Sequence, residues 1–164
     1  MDGGGISMDV VSVELSTIAY ATEDEDKVER AIQNLFPEGI SEVSLKKQKL
    51  TGHHKDPLTL ISTRIKKRRE AALMLRSIIA LLPPLDRERL LEELEDRVDE
   101  SGNLYLRIDK QKAFKGSGAL HDIDPIRIKF SFRVPHKRPA LEYIESVLTS
   151  LIESEPPSSA EEPE

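Results

Sequence analysis

The chain has 164 residues, 38% hydrophobic and 33% charged, with a formal net charge of −6. That balance fits one domain with a real core beneath a charged surface, and excludes a chain disordered throughout. Cysteine is absent, which excludes disulfides, thiol nucleophiles and cysteine-bound metals.

Residues 1–7, MDGGGIS, are expected to be a flexible start, and 8–152 a single domain. VVSVELSTIAYA (10–21) reads as a strand. Val11, Val13 and Leu15 alternate in one phase and Ile18 and Tyr20 in the other, so a bulge is expected near Ser16 and Thr17. Thr22 and Glu25 make a capping box for a helix with Val28, Ala31, Ile32 and Leu35 on one face, stopped by Pro37 and Gly39. EVSLKKQKL (42–50) and PLTLISTRI (57–65) are strand-like and flank GHHKDP, the signature of a hairpin. From Thr63 the pattern turns helical, with Ala72, Leu75, Ile79 and Leu82 on one face before Pro83 and Pro84. A second helix over 85–99 buries Leu90, Leu91, Leu94 and Val98.

After a turn at Ser101, Gly102 and Asn103, two further strands follow. NLYLRID (103–109) alternates Leu104, Leu106 and Ile108 with polar residues. PIRIKFSFRV (125–134) sets Ile126, Ile128, Phe130, Phe132 and Val134 against Arg127, Lys129, Ser131 and Arg133. A last helix spans 138–152, and 153–164 is expected to be a disordered acidic tail. Strands with one polar face predict an α+β fold. It is a single-domain two-layer sandwich whose sheet, of about five mostly antiparallel or mixed strands, carries helices on one face.

The net charge conceals segregation. Residues 41–80 carry 10 bases and 3 acids, and 105–138 carry 9 bases and 3 acids; 86–100 carry 8 acids and 3 bases. Local potential steers ligands even when net charge is negative. RIKKRRE gathers Arg64, Lys66, Lys67, Arg68 and Arg69 where strand gives way to helix. Cations at a helix N-terminus oppose its dipole, and bound phosphates relieve that penalty. RIDKQKAFKGSG gathers Arg107, Lys110, Lys112 and Lys115 around Phe114; the cations suit phosphates, while the ring is expected to face the core. Arg127, Lys129 and Arg133 line one strand face.

Metal and catalytic chemistry find little support. His53 and His54 are adjacent, so an extended backbone sends them to opposite sides. HDID (121–124) adds His121, Asp122 and Asp124, without the helical spacing of a zinc motif. No nucleophile motif or glycine-rich phosphate loop is present. The expected metal set, cofactor set and catalytic set are therefore none.

TEDEDKVERAIQNLF (22–36), GHHKDPL (52–58) and LYLRIDKQKAFKG (104–116) together resemble an archaeal family of small predicted RNA-binding proteins described as exosome subunits. The resemblance implies a fold like ribosomal protein L five, RNA binding without catalysis, and a place in RNA processing or turnover. It carries over Lys110, Gln111 and Lys112 as motif matches. In the family the hairpin reads Gly-His, a variable residue, then Gly-Asn-Pro. Gly52, His53 and Pro57 match, whereas Lys55 and Asp56 depart and add a positive charge.

The expected function is a non-catalytic RNA-binding protein using His53, His54, Lys55, the 64–69 cluster, Arg107 to Lys115, and the basic strand face. The expected partners are RNA and exosome or other RNA-processing proteins. Competing readings are a protein-interaction adaptor docked through the acidic helix or tail, and a metal-dependent RNA or nucleotide enzyme. No run approaches 18 apolar residues, and MDGGGISMDV lacks the basic start and apolar core of a signal peptide. A cytoplasmic protein is expected, monomeric or dimerised through a free strand edge.

Overall fold

The computed structural model of the chain describes residues 8–41, 43–52 and 55–154. Five strands, β1 (Val10–Tyr20), β2 (Lys46–Thr51), β3 (Pro57–Ile65), β4 (Asn103–Ile108) and β5 (Ile126–Phe132), form one open antiparallel sheet in the order β2-β3-β1-β5-β4. Six helices accompany it: α1 (Glu25–Gln33), α2 (Arg68–Leu81), α3 (Pro84–Glu92), α4 (Leu94–Arg97), α5 (Lys110–Phe114) and α6 (Ala140–Ser154). The α+β layering read from strand alternation is the observed one. Of the tail expected over 153–164, Glu153 and Ser154 instead continue α6, and the rest lies outside the described residues, as do residues 1–7, His53 and His54.

The core follows from the alternation. Val13, Leu15 and Ala19 of β1, Leu104, Leu106 and Ile108 of β4, and Ile126, Ile128, Phe130 and Phe132 of β5 are buried on one face of the sheet. They share a cluster with Met74, Leu75, Ile78 and Ile79 of α2 and Ile144, Val147, Leu148 and Leu151 of α6. All the helices long enough to carry an apolar stripe are spent on this face, which leaves the opposite face of the sheet to its own side chains.

Three sequence expectations need correction. The bulge near Ser16 and Thr17 does not form: β1 pairs with β3 without a break from Val13↔Ile65 to Tyr20↔Leu58, and the irregularity lies at Val10 and Ser12 against β5. Thr17 keeps the phase, because its hydroxyl donates to the Pro125 carbonyl at 3.0 Å and so tolerates a buried position. Ile18 and Tyr20 therefore face away from the core. The capping box at Thr22 is replaced by Asp24, whose carboxylate accepts from the Asp26 amide at 3.0 Å. The single helix expected over 85–99 is broken at Glu93 (φ −100°, ψ 12°). Beyond Arg97 the chain turns extended, and Val98 bridges Leu104 beside β4.

The turn into β4 depends on Gly102. Its φ is +90°, and a Cβ there would stand 2.8 Å from Val134 Cγ2, so glycine meets both a left-handed backbone and a close approach. At the opposite border β2 is the outer strand, and Lys46, Lys47 and Lys49 on it discourage pairing with another strand.

Candidate nucleic-acid interface

The strand registers carry one row of residues straight across the open face. Lys46 lies opposite Ser62, Ser62 opposite Ser16, Ser16 opposite Arg127, and Arg127 opposite Arg107. Two residues further along, Arg64 lies opposite Glu14, Glu14 opposite Lys129, and Lys129 opposite Tyr105. The central strands β3 and β1 thus contribute small side chains, Ser62 and Ser16, while the flanking strands contribute long cations. The result is a groove of about 880 Å³ with a serine floor and basic walls, bordered also by Lys66, Glu14 and Asp96. Lys46 and Arg127 stand three strand spacings apart, about 14 Å.

The wall cations are weakly engaged by the protein itself. Arg64 approaches Glu14, and Arg107 approaches Asp122, each at 3.6 Å between exposed groups. Such pairs contribute little in water. Among the described residues Lys66, Arg127 and Lys129 form no ion pair. This is a positive surface whose charges are available to an incoming anion.

Tyr105 borders the same groove. The residue is 42% exposed, and its hydroxyl donates to Asp99 Oδ2 at 2.9 Å. Asp99 also accepts from the Ser101 and Asn103 amides and from Asn103 Nδ2, each at 3.0 Å. Burial pushes the Asp99 carboxyl up, but these hydrogen bonds outweigh it and hold the group below the usual aspartate range. The bond to Asp99 raises the Tyr105 phenol in turn. The effect is a half-exposed side chain held by its far end.

Of the basic residues marked in the sequence, Arg64, Lys66, Arg107, Arg127 and Lys129 meet in the groove. The others do not line it. Lys67 is the N-cap of α2; exposed Arg68 pairs with Asp9 at 3.6 Å, and Arg69 is exposed on the first turn. Arg133 is exposed just past β5, with its amide donating to the Asp9 carbonyl at 2.8 Å. Lys55 is exposed at the hairpin turn, where its φ of 62° is left-handed. Gln111 and Lys115 border a separate cavity of about 320 Å³ between α1 and α5, and Lys112 is exposed on α5.

Lys110 is the clearest departure from a surface role. It is 7% exposed. Its ammonium donates to the Ile18 carbonyl at 2.8 Å, to both oxygens of Glu23 at 3.2 Å and to Asp124 at 2.9 and 3.0 Å. β5 enters the sheet after Pro125, which has no N–H to offer Ile18, and the lysine supplies the donor. The surrounding motif is likewise internal. Asn34 Nδ2 donates to the Ala113 and Phe114 carbonyls at 3.0 Å, and Lys27 lies 5.8 Å from the centre of the Phe114 ring. Two of the three segments that carry the family resemblance, 22–36 and 104–116, therefore dock on each other. Phe114 packs partly buried against the core, as expected.

The HDID carboxylates are also committed to cations. Asp122 accepts from Arg89 at 3.4 Å, and Asp124 holds Lys110. Among the described residues no group of three or more His, Cys, Asp or Glu is placed to hold a metal ion, and no helix is long and apolar enough to cross a membrane.

Sequence reading missed Lys46, Ser16, Ser62 and Tyr105. A signal existed for Tyr105, which alternates with core leucines. Lys46 was hidden in a run of polar residues whose register only the partner strand reveals.

Comparison with known proteins adds an independent line. A family described as RNA binding matches residues 12–132. An RNA-binding protein of Pyrococcus abyssi is 36% identical over 123 residues, covering 72% of this chain and 80% of that protein. Solved structures share the fold. A protein of Archaeoglobus fulgidus superposes with a TM-score of 0.73 at 32% identity, covering 84% of this chain and 99% of that one. A protein of Methanothermobacter thermautotrophicus gives 0.67 at 33% identity, covering 85% and 98%.

Proposed function

The chain belongs to the family described as RNA binding, and from that premise we propose that RNA is held in the basic groove on the open face of its sheet. The observation that carries this is the register. It sets Lys46, Arg64, Arg107, Arg127 and Lys129, from four different strands, around a floor of two serines. Cations hold phosphates without regard to sequence, and serine hydroxyls and backbone amides add contacts to phosphate and sugar. The groove is read as a surface that binds the RNA backbone.

The reading extends to an accessory role in cytoplasmic RNA processing or turnover beside the exosome, supported by the resemblance of residues 22–36, 52–58 and 104–116 to that family. The fold like ribosomal protein L five that the same resemblance implies is supported by the open sheet with helices on one side.

Filter binding to a structured RNA tests the groove. Arg107→Glu with Arg127→Glu is expected to abolish binding at moderate salt, while Lys112→Glu with Lys115→Glu, outside the groove, leaves most of it. Retention of binding by the first pair, or loss confined to the second, overturns the assignment. Copurification with exosome subunits that persists after nuclease treatment supports the accessory role, and its absence refutes it.

A further inference from the structure

The open face is not basic throughout. Followed along the two central strands, it changes character. β1 presents Glu14, Ser16, Ile18 and Tyr20 in succession, and the β3 residues opposite them are Arg64, Ser62, Leu60 and Leu58. Charge gives way to hydroxyls, and hydroxyls to an apolar stretch. On β2 the same progression runs Lys46, Gln48, Leu50, opposite Ser62, Leu60 and Leu58. The basic groove thus opens lengthwise onto an apolar floor.

Two large aromatic side chains of the chain are exposed, Tyr105 at 42% and Tyr20 at 41%, and both lie on this face. Tyr105 belongs to the row of Glu14, at the basic end. Tyr20 lies six residues further along β1, about 20 Å away. The third tyrosine, Tyr143, and Phe130 and Phe132 are buried.

Resting on the assignment of RNA to this groove, we infer that its ligand is a single strand laid along β1, with bases stacked on Tyr105 and Tyr20 and phosphates held by the cations between β2 and β4. A duplex shows a protein chiefly its sugar-phosphate exterior, and its base planes are hidden in the stack. An apolar stretch ending in an exposed ring has nothing to meet there. A single strand presents phosphates and unpaired base planes together, which is the mixture this face presents. Base–aromatic stacking is sequence-tolerant because every base has a π-face, so the inferred site discriminates strandedness rather than sequence. The Asp99 bond to the Tyr105 hydroxyl fixes the ring before the base arrives, which lowers the entropy lost on stacking.

Fluorescence anisotropy of the full chain with a short unstructured RNA, and with the same RNA annealed to its complement, tests this. The single strand is expected to bind at least about tenfold more tightly. Tyr105→Ala and Tyr20→Ala are each expected to weaken the single strand by roughly five- to a hundredfold, while leaving duplex binding unchanged. Tyr105→Phe keeps the ring but loses the Asp99 bond, and is expected to weaken the single strand much less than Tyr105→Ala does. Equal or tighter duplex binding, or single-strand affinity untouched by both alanine variants, overturns the inference. Arg107→Glu with Arg127→Glu separates the two levels. If that pair abolishes binding while the tyrosine variants do nothing, the groove stands and the stacked strand falls. If that pair binds like the parent, the groove itself falls.

Discussion

Lys110 and Lys55 show how little a lysine's identity says about its task. Lys110 sits in a cluster of bases, yet its ammonium replaces a missing sheet donor and is enclosed by Glu23 and Asp124. Lys110→Met keeps the stem and removes three acceptors' partner. Both carboxylates retain some access to water, so the loss is expected below the 3–5 kcal/mol of a fully buried pair, at about 2–3 kcal/mol by urea unfolding. Lys110 does not line the groove, but its ammonium lies 5.6 Å from the centre of the Tyr20 ring, so RNA affinity of the folded variant is expected to fall by no more than it does in Tyr20→Ala. A larger affinity loss with unchanged stability would place Lys110 in the interface instead. Lys55 carries a different cost. Its φ of 62° is a conformation that side chains with a Cβ adopt at a penalty of about 1–2 kcal/mol. Glycine adopts this conformation without that penalty. Lys55→Gly relieves the strain and gives back part of it in unfolded-state entropy, so a gain of roughly 0.5–1 kcal/mol is expected in the same assay.

At the scale of elements, several carboxylates tie separate segments together. Lys47 of β2 donates to Glu25 at 3.0 Å and to Glu29, both on α1, and these hydrogen bonds raise the lysine above its ordinary range and lower Glu25. Glu70 of α2 is lowered by hydrogen bonding to the Ser41 side chain and to its amide, the latter at 3.1 Å, and Glu93 is lowered by the bonds it accepts from Arg89 and Arg97 across the break between α3 and α4. A carboxylate with a depressed folded pKa contributes stability above its unfolded value, and that contribution is lost as pH falls through the folded value. Melting temperature is therefore expected to be flat from neutral pH to about pH 5 and to fall below the ordinary glutamate value of 4.5. A decline that begins well above that range would mean that groups other than these carboxylates control it. Lys47→Ala is expected to speed amide hydrogen exchange in β2 while leaving β1 and β5 protected, because β2 is an edge strand held to α1 by this pair. The same elements show what the sequence reveals. Strand phase in β4 and β5 was legible, since apolar residues strictly alternate. The phase of β1 was not, because Thr17 is buried through a hydrogen bond to Pro125, a residue 108 positions away. The end of α4 at Arg97 was hidden for a similar reason: the next residue, Val98, is drawn into an extended bridge with Leu104.

Taken whole, the molecule separates its charges so that a net of −6 coexists with a groove of cations. At physiological salt, charges more than about 8 Å apart are largely screened from each other. The acidic residues elsewhere therefore subtract little from the field within the groove. The two exposed pairs at 3.6 Å, Arg64 with Glu14 and Arg107 with Asp122, are exchanged for phosphates at small cost. Binding should be driven by release of counterions from RNA, with a log–log salt slope of about −0.7 per phosphate neutralised on a single strand. A strand that engages four phosphates in this groove gives a slope of about −3. Arg127→Ala with Lys129→Ala removes two contacts and is expected to flatten it by about 1.4, with weaker binding at every salt concentration. The same two cations also test where the strand lies. Equivalent substitution of Lys112 and Lys115, which are outside the groove, is expected to leave the slope unchanged. A parent slope near zero would mean that affinity comes from contacts other than phosphate, and a slope flattened equally by both double variants would mean that RNA wraps beyond the sheet face onto α5.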